Sequence, residues 1–152
     1  MSERHRYPEG MDCVWLASDR NGHVGAFITA GVGPIPAEAL SSVYMPIEDV
    51  EGRLCQLPPV SQVQLLVSVK RPDDFIDLAE RGVFVYDWTD INRTAHEALS
   101  AYEPVAAPTK PIIASSLPSD LAILVKILKL ADVVFAAGEA VDIRAYFSCA
   151  EA

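Results

Sequence analysis

The sequence predicts an α+β fold: a single domain with a mixed or mostly antiparallel sheet, an N-terminal hairpin and four to five short helices. Three observations carry this. Asp12–Ser18 and His23–Thr29 are rich in Val, Trp, Leu and Phe and flank Asp19-Arg20-Asn21-Gly22, and Asn-Gly between strand-like runs suits the positive φ of a hairpin turn. Residues 73–88 read as a helix stopped by Gly82 and followed by a strand. Leu121, Leu124, Val125 and Leu128 recur at helical spacing.

Taken in order, residues 1–11 are polar and are expected to be a flexible N-terminus, with 12–152 as one domain. Gly25, lacking a side chain within its strand, invites close approach by another element. Residues 31–36 (Gly-Val-Gly-Pro-Ile-Pro) break the pattern, and Pro36 suits the start of a short helix through Leu40. A second helix is expected from about Pro46 to Leu57, with Ile47, Val50, Leu54 and Leu57 on one face; Pro58-Pro59 stops it. Gln62–Val69 is nearly continuous Val and Leu, which predicts a buried strand. With the helix at 73–82 and the strand Val83–Trp88 it could form a parallel crossover. Asp90 or Thr94 caps a short helix to about Ala101. Tyr102–Ala107 and Pro111–Ala114 read as extended, Ser119 caps a helix to about Leu128, and Asp132–Ala136 and Ala140–Phe147 read as closing strands.

The chain has 152 residues, 51% of them apolar and 22% charged. A chain of this length buries roughly 68–70% of its unfolded surface and needs no staples. Its net charge is −9, from 21 acidic and 12 basic residues. That disfavours nucleic acid and anionic membrane surfaces, which demand a basic face. Acid is concentrated in two stretches: Glu38, Glu48, Asp49 and Glu51 without Lys or Arg, then eight acids between Asp73 and Glu103 against Arg81 and Arg93. These read as two solvated helical faces, or as a surface that steers a basic partner.

Cys13, Cys55 and Cys149 are widely spaced, with no CxxC; they read as reduced thiols of a cytoplasmic protein, Cys13 and Cys55 as buried small residues. Leu121 to Ala137 is interrupted by Lys126, Lys129 and Asp132 and is too charged to span a bilayer. Gly31-Val32-Gly33-Pro34 lacks the successive free N–H groups of a phosphate cradle. His23 lies near Asp19, with Asp12 a second candidate neighbour across the ladder. That is the beginning of a general base, but no nucleophile motif accompanies it. His5, His23 and His96 form no i, i+4 pair for zinc. Asp73-Asp74 fits a helix start better than a metal pair. No pattern asks for a cofactor, and the balance leans away from an enzyme.

Two groups of residues remain as candidates for binding. Asp74 and Asp77 are two of the acids of the 73–82 helix. Asp87, Trp88, Asp90 and Arg93 follow a strand end, where α/β folds often place ligands. The first reading is a non-enzymatic interaction module whose acidic 73–103 region meets a basic protein, with Trp88 as an aromatic anchor. The alternative is a small-molecule site or an enzyme with a pocket near Asp87, Asp90 and Arg93. The composition also accommodates a homo-oligomer.

The chain resembles a group of small uncharacterised bacterial proteins through Val14–Asp19 with Gly22–Phe27, residues 33–36 (Gly-Pro-Ile-Pro), Arg71–Phe75 and Arg81–Trp88. That resemblance implies no catalytic residue or ligand. By size and acidity alone the chain is similar to immunity proteins that neutralise bacterial toxins, which implies a basic toxin domain as partner.

Overall fold

In the hairpin, Asp19 does more than shape a turn. Its carboxylate accepts the backbone N–H groups of Asn21 (2.9 Å), His23 (3.0 Å) and Phe135 (2.8 Å), so one buried side chain fixes the turn and ties it to a distant segment. Gly22 takes the positive φ that the turn demands, 78°.

The structure, a computed structural model, describes residues 7, 8, 10–41, 43–89 and 101–151. Their elements are β1 (Val14–Asp19), β2 (Val24–Ile28), β3 (Ile35–Pro36), α1 (Ala37–Leu40), α2 (Ile47–Cys55), β4 (Val63–Leu65), α3 (Asp73–Ala79), β5 (Phe84–Thr89), β6 (Ala101–Pro108), α4 (Ser119–Ile127), β7 (Lys129–Leu130) and β8 (Cys149–Ala150). Short 3-10 turns lie at Ala114–Ser116, Phe135–Ala137 and Ile143–Ala145. This is the expected α+β class, with a mixed sheet in the order β4-β6-β5-β2-β1-β7 and a separate β3–β8 pair. β1/β2, β5/β6 and β4/β6 are antiparallel; β2/β5 and β1/β7 are parallel.

Every residue of β1 and β2 is buried, because both faces of the sheet are covered. One face carries Val14, Leu16, Ala26 and Val85 against Val50 and Leu54 of α2, Leu78 and Ala79 of α3, and Leu121, Leu124 and Val125 of α4. The other carries Trp15, Phe27, Tyr86 and Tyr102 against Ile35, Phe135, Val141 and Ile143. Trp15 stacks on Phe27 with centroids 4.3 Å apart, and Phe27 stacks on Tyr86 at 4.9 Å. Gly25 is the close approach its sequence suggested: a Cβ there would lie 2.8 Å from the Phe135 ring.

Two expectations are corrected, and the crossover is found in split form. Gln62–Val69 is not a buried strand: only Val63–Leu65 forms β4, at the sheet edge, with a half-covered Val63 and an exposed Leu65. The apolar run is met by one neighbouring strand and one helix face rather than from both sides. β4 and β5 do run parallel across α3, since each is antiparallel to β6, but β6 lies between them and the unit is split. Residues 132–136 and 140–147 are not strands. Phe135 turns into the aromatic face, and the backbone of this segment is held by Arg20 N–H on Val133 O (2.9 Å) and Phe135 N–H on Asp19. The helix expected after Asp90 or Thr94 lies outside the described residues. In the N-terminal stretch, Tyr7 hydroxyl donates to Gly33 O and Gly10 N–H to Gly31 O.

Candidate functional site

The two acidic stretches of the sequence meet in space. α2 packs against α3, because Val50 and Leu54 of one and Leu78 and Ala79 of the other share one core. This brings Glu51 of α2 within electrostatic reach of Asp74 and Asp77 of α3 and of Asp12 from the entry to β1. Asp74 and Asp77 are exposed and Glu51 is half-buried. Burial, then the charges of Asp74, Asp12 and Asp77, hold the Glu51 carboxyl above the usual range. Burial also raises Asp12; the Ala30 N–H that it accepts at 3.0 Å opposes this, and Asp74 adds to it.

One cation, Arg81, lies at the end of this face, 3.8 Å from Glu80. Arg81 spreads its guanidinium over three backbone carbonyls, those of Asp77 (2.8 Å), Cys55 (2.8 Å) and Leu57 (3.1 Å). It therefore closes the C-terminal ends of α2 and α3. Arg53 of α2 is drawn to the other side, onto Asp120 of α4 at 2.7 Å, and that hydrogen bond holds the Asp120 carboxyl below its usual range.

The thiols beside the acidic face are poor nucleophiles. Cys13 is raised by burial and by Glu48, Asp12 and Glu51. Cys55, half-buried rather than buried as expected, is raised by burial and by Glu51, Asp77 and Asp74 against Arg81. Cys149 is pushed up to about 11 by burial and Glu151. A thiol so shifted stays protonated at neutral pH.

Asp87 and Trp88 do not share a site. Successive strand residues point to opposite faces. Asp87 sits opposite Glu103 of β6 and Ile28 of β2. Trp88 turns to the aromatic face, edge-on to Tyr102 at 5.2 Å, with the Arg144 guanidinium 5.7 Å from its ring. A Cβ on Gly33 would lie 2.9 Å from Trp88 and 2.7 Å from the Tyr102 hydroxyl. Trp88 is thus packing, across the sheet from Asp74 and Asp77. Asp90 and Arg93 lie outside the described residues.

The other polar candidates resolve into structure. His23 meets Asp19 through its backbone N–H, and its Nδ1 is buried without a hydrogen-bond partner among the described residues. Asp12 is at the opposite end of the hairpin ladder, near Ala30. In the glycine loop, Val32 and Gly33 N–H both go to Thr29 O, and Gly31 N–H goes to Thr29 Oγ1. Those donors are spent inside the loop. Asp73 and Asp74 stand in the first turn of α3, where its dipole favours them, without capping it through a side chain. Among the described residues no group of three His, Cys, Asp or Glu side chains is arranged to hold a metal, and no helix is long and apolar enough to cross a membrane.

No family model matches the chain, and no significant match is found among curated proteins or solved structures. Asp12 and Glu51 are the residues that sequence reasoning missed. Glu51 was visible as an acid near a helix start, but its meeting with Asp74 depends on the pairing of two helices. Two other clefts are lined differently: one of about 350 Å³ by Asp132, Val134, Glu139 and Asp142 among others, and a groove of about 520 Å³ by Ala114, Ala122, Ile123, Lys126 and Lys129 among others.

Proposed function

We propose that the protein is a non-enzymatic interaction module, in its concrete form an immunity-type inhibitor, that binds a basic protein in the cytoplasm through the face formed by Asp12, Glu51, Asp74 and Asp77. The observation that carries this reading is the grouping of four carboxylates from three neighbouring segments, with Arg53 drawn onto Asp120 and Arg81 bonded to backbone carbonyls at the helix ends. Such a face is under electrostatic strain in the free protein. A cationic partner relieves it, drawing the raised carboxyls of Glu51 and Asp12 down and gaining more than it would from isolated surface acids. The unpaired cysteines suit a reducing compartment.

The test is a pull-down from a bacterial lysate with the full chain, read by mass spectrometry at low and moderate salt. A stoichiometric basic partner, lost with salt and weakened on the order of tenfold or more by Asp74→Lys with Asp77→Lys, supports the reading. Association that ignores salt and survives both reversals overturns it. The alternative, a ligand pocket at Asp87, Asp90 and Arg93, has less behind it, since Asp90 and Arg93 lie outside the described residues.

A further inference from the structure

Between α4, the 3-10 turn at Ala114–Ser116 and the β1–β2 turn lies the groove of about 520 Å³. Ser119, Ala122, Ile123 and Lys126 line it from α4. They fall at i, i+3, i+4 and i+7, which is one stripe of the helix. Seven residues at helical rise make that stripe about 10 Å long. Ala114 lines the groove from the 3-10 turn. Where α4 runs into β7, Lys129 adds a second ammonium group to that of Lys126.

The charge of this groove is opposite to that of the molecule. The chain carries 21 acids against 12 bases, yet no Asp or Glu lines the groove, whereas Asp132, Glu139 and Asp142 line the cleft of about 350 Å³. The acid of α4, Asp120, is held by Arg53 at 2.7 Å. Nor are the two lysines spent on closing the helix. Leu124 O accepts Leu128 N–H (3.3 Å), Val125 O accepts Ser18 Oγ–H (2.8 Å) and Leu128 O accepts Ser18 N–H (3.0 Å). Both lysines are exposed, and neither ammonium group has a hydrogen-bond or ion-pair partner among the described residues.

We infer that this groove binds a small organic anion with an apolar chain, a medium-chain carboxylate. Its head lies between Lys126 and Lys129, and its tail follows Ile123 and Ala122 towards Ser119. The volume falls within the roughly 300–1,000 Å³ of small-molecule sites, and the length of the stripe suits an extended chain of medium length. Both parts of the ligand are required. A carboxylate alone gains little from exposed ammonium groups, and a neutral chain leaves them unused. Together, the methylenes covered by Ala114, Ala122 and Ile123 hold the head where two charge-assisted hydrogen bonds form. The inference is independent of the acidic face on α2 and α3, which repels such a ligand.

The full chain is titrated with decanoate below its micelle concentration, by calorimetry and by thermal melting. One molecule is expected to bind per chain, with a melting temperature that climbs with ligand concentration. Acetate, which has the head without the chain, binds far more weakly. So does decyltrimethylammonium, which has the chain with the opposite charge. Lys126→Gln with Lys129→Gln weakens decanoate binding on the order of tenfold or more. Both side chains are exposed, so the free double variant melts as the wild-type chain does. Lys110→Gln, outside the groove, leaves decanoate binding unchanged. The inference is overturned if decanoate does not bind, or binds no better than acetate or decyltrimethylammonium. It is overturned equally if the double variant holds decanoate as tightly as the wild-type chain, or if Lys110→Gln weakens it as much.

Discussion

Ala30 adopts a left-handed backbone conformation, φ 53°, that glycine favours and alanine resists. It is held there because its N–H reaches Asp12 Oδ1 and because Gly31, at φ 82°, continues the turn. The left-handed region costs a Cβ-bearing residue about 1–2 kcal/mol, of which the added chain entropy of glycine returns a part. Ala30→Gly is expected to stabilise the protein by about 0.5–1 kcal/mol, read as a higher urea midpoint at unchanged slope. An unchanged or lower midpoint would mean that the loop gives alanine room to relax. Nothing in the residues around Ala30 announces this conformation. Gly25 was legible as a point of close approach, since a glycine within a strand asks for a reason. Gly33 was not, because the Trp88 and Tyr102 side chains that fill its space arrive from β5 and β6.

Among the elements, those whose pattern is local were readable. The hairpin follows from two apolar runs and an Asn-Gly turn, and α4 from the spacing of Leu121, Leu124 and Val125, all of which are buried. The run at 62–69 misled because an apolar strand carries no mark of whether it will sit inside a sheet or at its edge. Residues 132–147 misled because Val133, Val134 and Phe135 have strand-forming side chains, while their backbone is claimed by Asp19 and Arg20. The acidic face belongs to neither helix alone. Its cost is measurable in Glu51. The folded carboxyl is raised above its ordinary value, so the folded state binds a proton more readily than the unfolded chain does. This group favours folding below the ordinary carboxyl range. That advantage disappears as pH rises through the raised value, leaving a half-buried charge and the repulsion of its neighbours at neutral pH. Glu51→Gln is therefore expected to raise stability at pH 7 by roughly 0.2–0.5 kcal/mol for each like-charge neighbour removed. The gain should shrink towards pH 4 and in high salt, followed by thermal melts across pH. A gain independent of both would assign it to packing.

At the scale of the whole molecule, the sheet is closed by the last quarter of the chain. β7 pairs in parallel with β1 at Ser18–Lys129 and Asp19–Leu130, and the residues beyond β7 cover the aromatic face. Phe135 sits within an irregular segment, yet its ring lies 6.0 Å from Phe27, 5.9 Å from Phe84 and 5.5 Å from Tyr86, and it fills the space that Gly25 leaves open. Its backbone N–H is also held by the carboxylate that shapes the β1–β2 turn. Side chain and backbone thus bind one segment to the two central strands, which makes it part of the cooperative core. Phe135→Ala should then cost about 3–5 kcal/mol of global stability, the range for emptying a buried aromatic site. In urea, near-UV circular dichroism, which reports the Trp15–Phe27–Tyr86 stack, and far-UV dichroism, which reports the helices across the sheet, should move together to a lower midpoint. If the near-UV signal were instead lost first, with the far-UV midpoint unmoved, the 128–151 segment would be a cover that opens independently. The β1–β7 pairing would then not carry stability from one face of the sheet to the other.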